Sequence, residues 1–344
     1  MNIRMTKPVP GVTFTTTLII EHMNPHHLEG HVLTSIGVYV LSYNRPQYLR
    51  EAIDSVLAQQ RPADRIVVLD NGSDPGVKES ISAELDKGVI WVGADHNHSS
   101  IWNHARVFEL AQEDLFYLMH DDDRLLPNFL STQVDYMERN PEVIASGCNG
   151  FRIGPEGNRD GRYVREKGGK SVERYPDSAS MAELYSRSYI PFPSIVYRNG
   201  FPQKIGLEER YGQLADAVFL VLLAGQGPVV FLDEELMEYR MHASQDSKEL
   251  NEDQYRMKEA FLIDCTKDHP QYSGKVVKRV RSNQTRRWME RILSAAIVHR
   301  SLKAAKLQLI SSKPSRIDIL TLVSIVLFPE RYLRKVLDRR DRCY

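Results

Sequence analysis

The chain has 344 residues, long enough for one large domain with an appendage, and its 45 Lys and Arg balance 45 Asp and Glu. The balance is not local: residues 271–344 hold 18 Lys and Arg against 5 Asp and Glu, so a net of +13 faces −13 in the first 270 residues, which suggests two different jobs. Three scattered cysteines, Cys148, Cys265 and Cys343, exclude a disulfide framework and a zinc pattern and point to a reducing cytoplasm, and Pro8, Pro10, Glu21 and His26 interrupt any signal peptide.

Residues 1–33 read as a leader, with one short strand over 12–20 and a His-rich turn at His22, His26, His27 and His31. Irregular spacing and the intervening Pro25 and Gly30 make that turn a surface loop rather than a metal site. From Ser35 the pattern is regular. A strand over 36–43 leads to a helix from Pro46 with Leu49, Ala52, Ile53, Val56 and Leu57 on one face. Strands over 65–69 and 89–92 follow, each trailed by turn residues and a helical stretch, at 76–85 and 101–111. This alternation predicts a parallel sheet covered by helices.

Polar clusters close these strands. Tyr43-Asn44-Arg45-Pro46 ends the first, and Asp70-Asn71-Gly72-Ser73-Asp74 the second. Asp and Asn can accept from sugar hydroxyls or a base N–H, and Gly72 would let the backbone approach a planar ring, although the same residues are ordinary turn chemistry. The fourth strand, Leu115, Phe116, Tyr117, Leu118 and Met119, runs into Asp121, Asp122 and Asp123. Ligands of open α/β sheets bind beyond the carboxyl ends of the strands, and carboxylates there suit a hard divalent cation, Mg²⁺ or Mn²⁺. A solvated acidic loop is the alternative.

Further on, a helix is expected over 127–137, a strand over 143–146, and a charged, Gly-rich excursion over 154–169, either an exposed hairpin or a lid. Tyr189-Ile190-Pro191-Phe192-Pro193-Ser194 would line an acceptor pocket or pack the core. Asp216 is a lone carboxylate at an apolar helix start; burying it unpaired costs several kcal/mol, so it either caps the helix or faces a cleft. A strand over 228–232 precedes Tyr239-Arg240-Met241-His242-Ala243-Ser244-Gln245.

Ser42-Tyr43-Asn44-Arg45, Val68-Leu69-Asp70-Asn71-Gly72-Ser73 and His120-Asp121-Asp122-Asp123, in this order, resemble the nucleotide-sugar half of glycosyltransferase family 2. The resemblance extends over 35–247. It implies a GT-A-type α/β fold, a mostly parallel sheet with helices on both faces, inside a catalytic domain at 34–250. It also implies inverting transfer from a nucleoside-diphosphate sugar with Mn²⁺ or Mg²⁺. By resemblance, Ser42, Tyr43, Asn44, Arg45, Asp70, Asn71, Asn103, Asp121 and Asp122 hold the nucleotide sugar. Asp121 and Asp123 form the metal motif, His242 of the closing Tyr-Arg-x-His approaches the metal or diphosphate, and Asp216 is the catalytic base. His120 and Asn71 stand where many members carry Asp. The expected acceptor is a hydroxyl of a saccharide or lipid-linked molecule, in surface polysaccharide synthesis. A catalytically inactive scaffold subunit is the alternative; a sugar nucleotidyltransferase would need a Gly-rich basic loop where Ser42-Tyr43-Asn44-Arg45-Pro46 stands.

Residues 251–344 are expected to form a basic helical extension. A helix is expected over 284–310, and a second one contains residues 317–328, nine of the twelve apolar. Twelve helical residues rise about 18 Å, short of a membrane core of about 30 Å. Apolar patches flanked by cations suit the anionic inner face of the plasma membrane, which would make a cytoplasmic enzyme peripheral to it. The alternative is a helical cap that packs on the catalytic domain or in a homodimer. No nucleic-acid motif accompanies the basic tail.

Overall fold

The computed structural model describes residues 34–164, 171–242 and 250–298, with side chains to residue 287. The leader, residues 165–170 of the excursion, Ala243, Ser244 and Gln245, and the second tail helix lie outside the described residues. The first half alternates strand and helix: β1 (Ile36–Ser42), α1 (Pro46–Leu57), β2 (Arg65–Asp70), α2 (Pro75–Glu79), α3 (Ser82–Leu85), β3 (Ile90–Gly93), α4 (Ser100–Leu110) and β4 (Leu115–His120). Then come β5 (Arg124–Leu125), α5 (Phe129–Arg139), β6 (Ala145–Ile153), β7 (Arg159–Arg162), β8 (Val172–Tyr175), α6 (Ser178–Tyr185), β9 (Val196–Arg198), α7 (Pro202–Ile205), α8 (Ala215–Leu223) and β10 (Val229–Arg240). Two helices, α9 (Glu252–Thr266) and α10 (Pro270–Val298), end the described chain.

The strands form one sheet in the order β3-β2-β1-β4-β9-β6-β10-β5, with β7 on β6 and β8 on β10. Pairings β3–β2, β2–β1, β1–β4 and β6–β10 are parallel, while the short β9 is antiparallel between β4 and β6. Strand alternation divides the core into two layers. Val38, Val40, Tyr117 and Met119 pack against Leu49, Ile53 and Val56 of α1 and Phe129 and Val134 of α5. Tyr39, Leu41, Phe116 and Leu118 pack on the other face against Val107 and Phe108 of α4, Met181 of α6, and Phe219 and Leu220 of α8. Leu262 of α9 and Val276 and Val280 of α10 join this second layer, so the start of the basic extension adds to the same core.

Some elements differ from the sequence expectation for local reasons. The single helix expected over 76–85 is two, because the Ser80 hydroxyl donates back to the Val77 carbonyl at 2.7 Å and the Ser80 carbonyl accepts from Arg50. The strand expected to stop at Leu232 runs on to Arg240, with register shifts at Glu235. Its charged stretch is tolerated because Asp233 accepts from Asn149 at 2.8 Å and from Arg162 at 3.0 Å. The excursion opens as a hairpin of β6 and β7. Of the expected acceptor lining, Ile190, Phe192 and Ser194 are core residues and Tyr189 is exposed: the Ser194 hydroxyl accepts from the Cys148 N–H, and Pro193 accepts from the Tyr117 hydroxyl at 2.6 Å.

Candidate active site

Parallel pairing brings the carboxyl ends of β2, β1 and β4 side by side, with Ser42 opposite Asp70 and Leu41 opposite His120. The loops beyond them are tied across long sequence separations. Asp70 Oδ2 accepts from the N–H groups of Gly72 at 3.1 Å and Ser73 at 2.9 Å, while its buried Oδ1 meets no hydrogen-bond partner among the described residues. The buried Ser42 hydroxyl is likewise unpartnered among them. Asn44, at φ 51°, accepts through its side chain from the Asp74 N–H, and its own N–H donates to the Ser73 hydroxyl, both at 2.9 Å. This sews the first loop to the second.

Two residues expected to touch the nucleotide have their side chains in hydrogen bonds within the protein, Asn71 to the loop after β3 and Asn103 to the end of β2. Asn71 donates to Asn97 Oδ1 and the His98 carbonyl and accepts from the His98 N–H, fastening the loop after β3. Gly72 does make a close approach, but to that loop's backbone: a Cβ there would stand 2.4 Å from the His96 carbonyl carbon, at φ +76°. Asn103 is buried beneath the end of β2, where its amide donates to the Leu69 carbonyl and accepts from Arg106. Tyr43 contributes its N–H to the site, and its side chain is exposed.

The three aspartates have separate surroundings. Asp121 accepts from the Tyr43 N–H and from Arg45, each at 3.0 Å, so both oxygens are engaged; burial and Asp122 nevertheless push its carboxyl up to about 7. Asp122 bonds His242 Nε2 at 2.9 Å and Arg45 at 3.1 Å. Burial works against its charge, but His120, His242 and Arg45 outweigh that and hold it below the usual carboxylate range. Asp123 Oδ1 accepts from the Arg240 N–H at 3.0 Å, whereas Oδ2 is buried with no hydrogen-bond partner among the described residues. Burial and the Asp122 charge push Asp123 well above the usual range. The tight metal-capable set here is His120, Asp122 and Asp123, whose ligand atoms lie within 4.8 Å of one another; Asp121 turns to Arg45 and His242 to Asp122.

Behind this cluster is a cation network of which only Arg240 belongs to a motif visible in the sequence. The fully buried Arg240 donates to the Asp122 carbonyl at 2.8 Å and the Pro155 carbonyl at 2.7 Å, pairs with Glu51, and stacks over Tyr48 at 4.4 Å. Arg124 joins Glu238 to Glu51, and Arg159 also binds Glu238. Glu51, in the second turn of α1, carries no local sequence signal for this role.

Asp216 occupies the first turn of α8. It is not the N-cap, which is Leu214; its Oδ1 accepts from the N–H of Ala217. Burial raises its pKa above the usual range, against the pull of the Ala217 N–H and of Lys258 from α9. A row of rings links this turn to the end of β4. His120 faces His104, His104 lies 5.8 Å from Phe192, and Phe192 lies 6.1 Å from Phe219 of α8. His104 is pushed down to about 3 by burial and by His120. Neither His104 nor Lys258 carries a motif by which its position could be read from the sequence.

A parallel α/β sheet with acidic loops at the carboxyl ends of β2 and β4, continued by an antiparallel β9 and a second parallel pair, is the GT-A glycosyltransferase architecture. Residues 38–193 match the family model described as Glycosyl transferase family 2. An uncharacterized glycosyltransferase of Rickettsia felis is 24% identical over 247 residues, covering 68% of this chain and 39% of that protein. The glucosyl-dolichyl phosphate glucuronosyltransferase of Haloferax volcanii is 27% identical over 116 residues, 33% of this chain and 37% of that protein. The chain thus spans well under half the length of either relative. The fold is similar to that of S. aureus TarS 1-349 in complex with UDP-GlcNAc, with a TM-score of 0.54 at 14% identity over 72% of this chain and 71% of that one. Asp216 and His242 lie beyond the family-matched segment.

Proposed function

We propose that the chain is a metal-dependent inverting glycosyltransferase that moves a sugar from a nucleoside-diphosphate sugar to a hydroxyl of a saccharide or lipid-linked acceptor, in surface polysaccharide synthesis. The observation that carries this reading is a pair of buried carboxylate oxygens without hydrogen-bond partners among the described residues, Asp70 Oδ1 at the end of β2 and Asp123 Oδ2 just beyond β4. Leaving a buried acceptor unmatched costs roughly 1–3 kcal/mol. A nucleobase N–H would satisfy the first and a divalent cation the second. The bound UDP-GlcNAc of the TarS fold relative and the dolichyl phosphate in the Haloferax relative's name support the donor and acceptor classes.

Asp122 and Asp123, with Asp121 beside them, would hold Mn²⁺ or Mg²⁺. Burial and the Asp122 charge alone push the Asp123 carboxyl up, and the two positive charges of a cation would reverse that logic. The cation, when bound, would neutralise charge developing on the departing diphosphate. Ser42, Tyr43, Asn44 and Arg45 would frame the nucleotide, and Arg45 and His242 would meet its phosphates. In a single displacement the acceptor oxygen bonds to the anomeric carbon, the bond from that carbon to the β-phosphate oxygen breaks, and the acceptor proton passes to Asp216. Burial raises the basicity of Asp216, which suits that role. No described helix is long and apolar enough to cross a membrane. The basic tail supports peripheral contact of a cytoplasmic enzyme with an anionic inner leaflet.

The test is a screen of nucleoside-diphosphate sugars for released nucleoside diphosphate, with Mn²⁺, with Mg²⁺ and with EDTA. At least one donor should be turned over only with metal. Release that persists undiminished in EDTA would remove the metal from the mechanism.

A further inference from the structure

His104 sits in α4 with Nδ1 2.6 Å from the Ser100 carbonyl oxygen. A carbonyl can only accept, so Nδ1 carries the hydrogen, and in the neutral ring Nε2 is the lone-pair nitrogen. That Nε2 faces Nε2 of His120 at 3.4 Å. Two lone pairs aimed at each other would repel, so His120 carries its hydrogen on Nε2 and donates it to His104. The lone pair of His120 then lies on Nδ1. A ring nitrogen of His120 also lies within 4.8 Å of carboxylate oxygens of Asp122 and Asp123, and Asp123 Oδ2 is buried there without a hydrogen-bond partner among the described residues.

We propose that His120 supplies a nitrogen ligand to the divalent cation beside Asp122 and Asp123, and that His104 is a positioning residue that sets the His120 tautomer. This rests on the metal-dependent reading above and specifies its donor set. Metal-bound histidines hold their orientation by donating the second ring N–H to an acceptor, and the relay from the Ser100 carbonyl through His104 to His120 supplies that acceptor. An imidazole beside two carboxylates favours Mn²⁺ or Co²⁺, whereas Mg²⁺ prefers oxygen alone. The site would therefore discriminate against Mg²⁺. A second group, Asp95, His96 and His98, is more exposed, and both of its imidazoles already turn to Asp95 Oδ1, His96 Nδ1 at 2.8 Å and His98 Nε2 at 3.5 Å.

Pulsed electron paramagnetic resonance of Mn²⁺ bound to the full chain reads nitrogen coupling directly. The unaltered protein should show ¹⁴N coupling that changes to ¹⁵N coupling when its histidines are ¹⁵N-labelled, a result that needs no substitution. His120→Asp should still bind Mn²⁺, lose the coupling, and let Mg²⁺ compete more effectively; His98→Ala should keep the coupling. His104→Phe should weaken Mn²⁺ binding by about 10–100-fold, and His104→Gln, whose amide oxygen can accept from His120, should restore most of it. Bound Mn²⁺ that supports transfer without nitrogen coupling, or coupling that survives His120→Asp, overturns this inference alone. Absence of any Mn²⁺ binding overturns the metal-dependent reading with it.

Discussion

Asp70 at the end of β2 is buried and Asp216 at the start of α8 is half-buried, and the surroundings of these two carboxylates differ in kind. Asp70 is fixed by two backbone N–H groups within its own loop, and that loop is sewn to its neighbours by Asn44, Asn71 and Ser73. Asp216 has one short bond to the next residue's N–H and otherwise feels the buried rings of Tyr185 and Tyr197 and the cation of Lys258. A donor site gains from preset hydrogen-bond geometry, because orientation is most of what it supplies. A base gains from burial, because desolvation lifts its pKa toward working pH.

The sharpest way to separate the two ends is Asp216→Asn. It keeps the shape and removes the basicity, so turnover should fall roughly 10²–10⁴-fold while donor affinity, measured by calorimetry, stays within a few fold. A matching loss of donor affinity would merge the two regions into one. Asp70→Asn should do the opposite. Its amide oxygen can still accept from Gly72 and Ser73, but an N–H replaces the unpartnered oxygen, so donor affinity should drop by about tenfold to a hundredfold with turnover at saturation little changed.

The smallest expected effect is on pH dependence. In the proposed role Asp216 must be ionised to take a proton and burial raises its pKa, so activity should fall on acidification at a higher pH than for an ordinary carboxylate. Lys258 favours the ionised form. Lys258→Met should therefore move the acid limb to still higher pH, and a limb that stays in place or moves down would show that α9 does not tune the base.

The strand ends that carry the candidate site were largely legible in the sequence because parallel strands announce themselves as apolar runs, and each run here stops at its own polar cluster. What periodicity could not show is which polar side chain faces the site. Asn71 and Asn103 look like ligand contacts on paper, yet their side chains bond groups 26 and 34 residues away. The core role of Ile190, Phe192 and Ser194 was hidden for a related reason: an aromatic, Pro-rich run reads the same whether it lines a pocket or fills a layer. Asp216 was visible as a lone charge in an apolar stretch, but its neighbours Lys258, Tyr185 and Tyr197 come from α9, α6 and β9. The same holds for Arg240 and Glu51, 189 residues apart. Long-range pairing of this kind leaves no local pattern.

The central claim is that a cation held at Asp123 ties the donor's diphosphate to the end of β4. Calorimetric titration of a panel of nucleoside diphosphates into the full chain, with Mn²⁺, with EDTA, and with Asp123→Ala in Mn²⁺, tests it directly. At least one nucleotide should bind in Mn²⁺, and both EDTA and the substitution should weaken it by about a hundredfold or more, as loss of several kcal/mol of metal–phosphate interaction requires. Equal affinity in all three arms, or no binding of any nucleotide, would contradict the account.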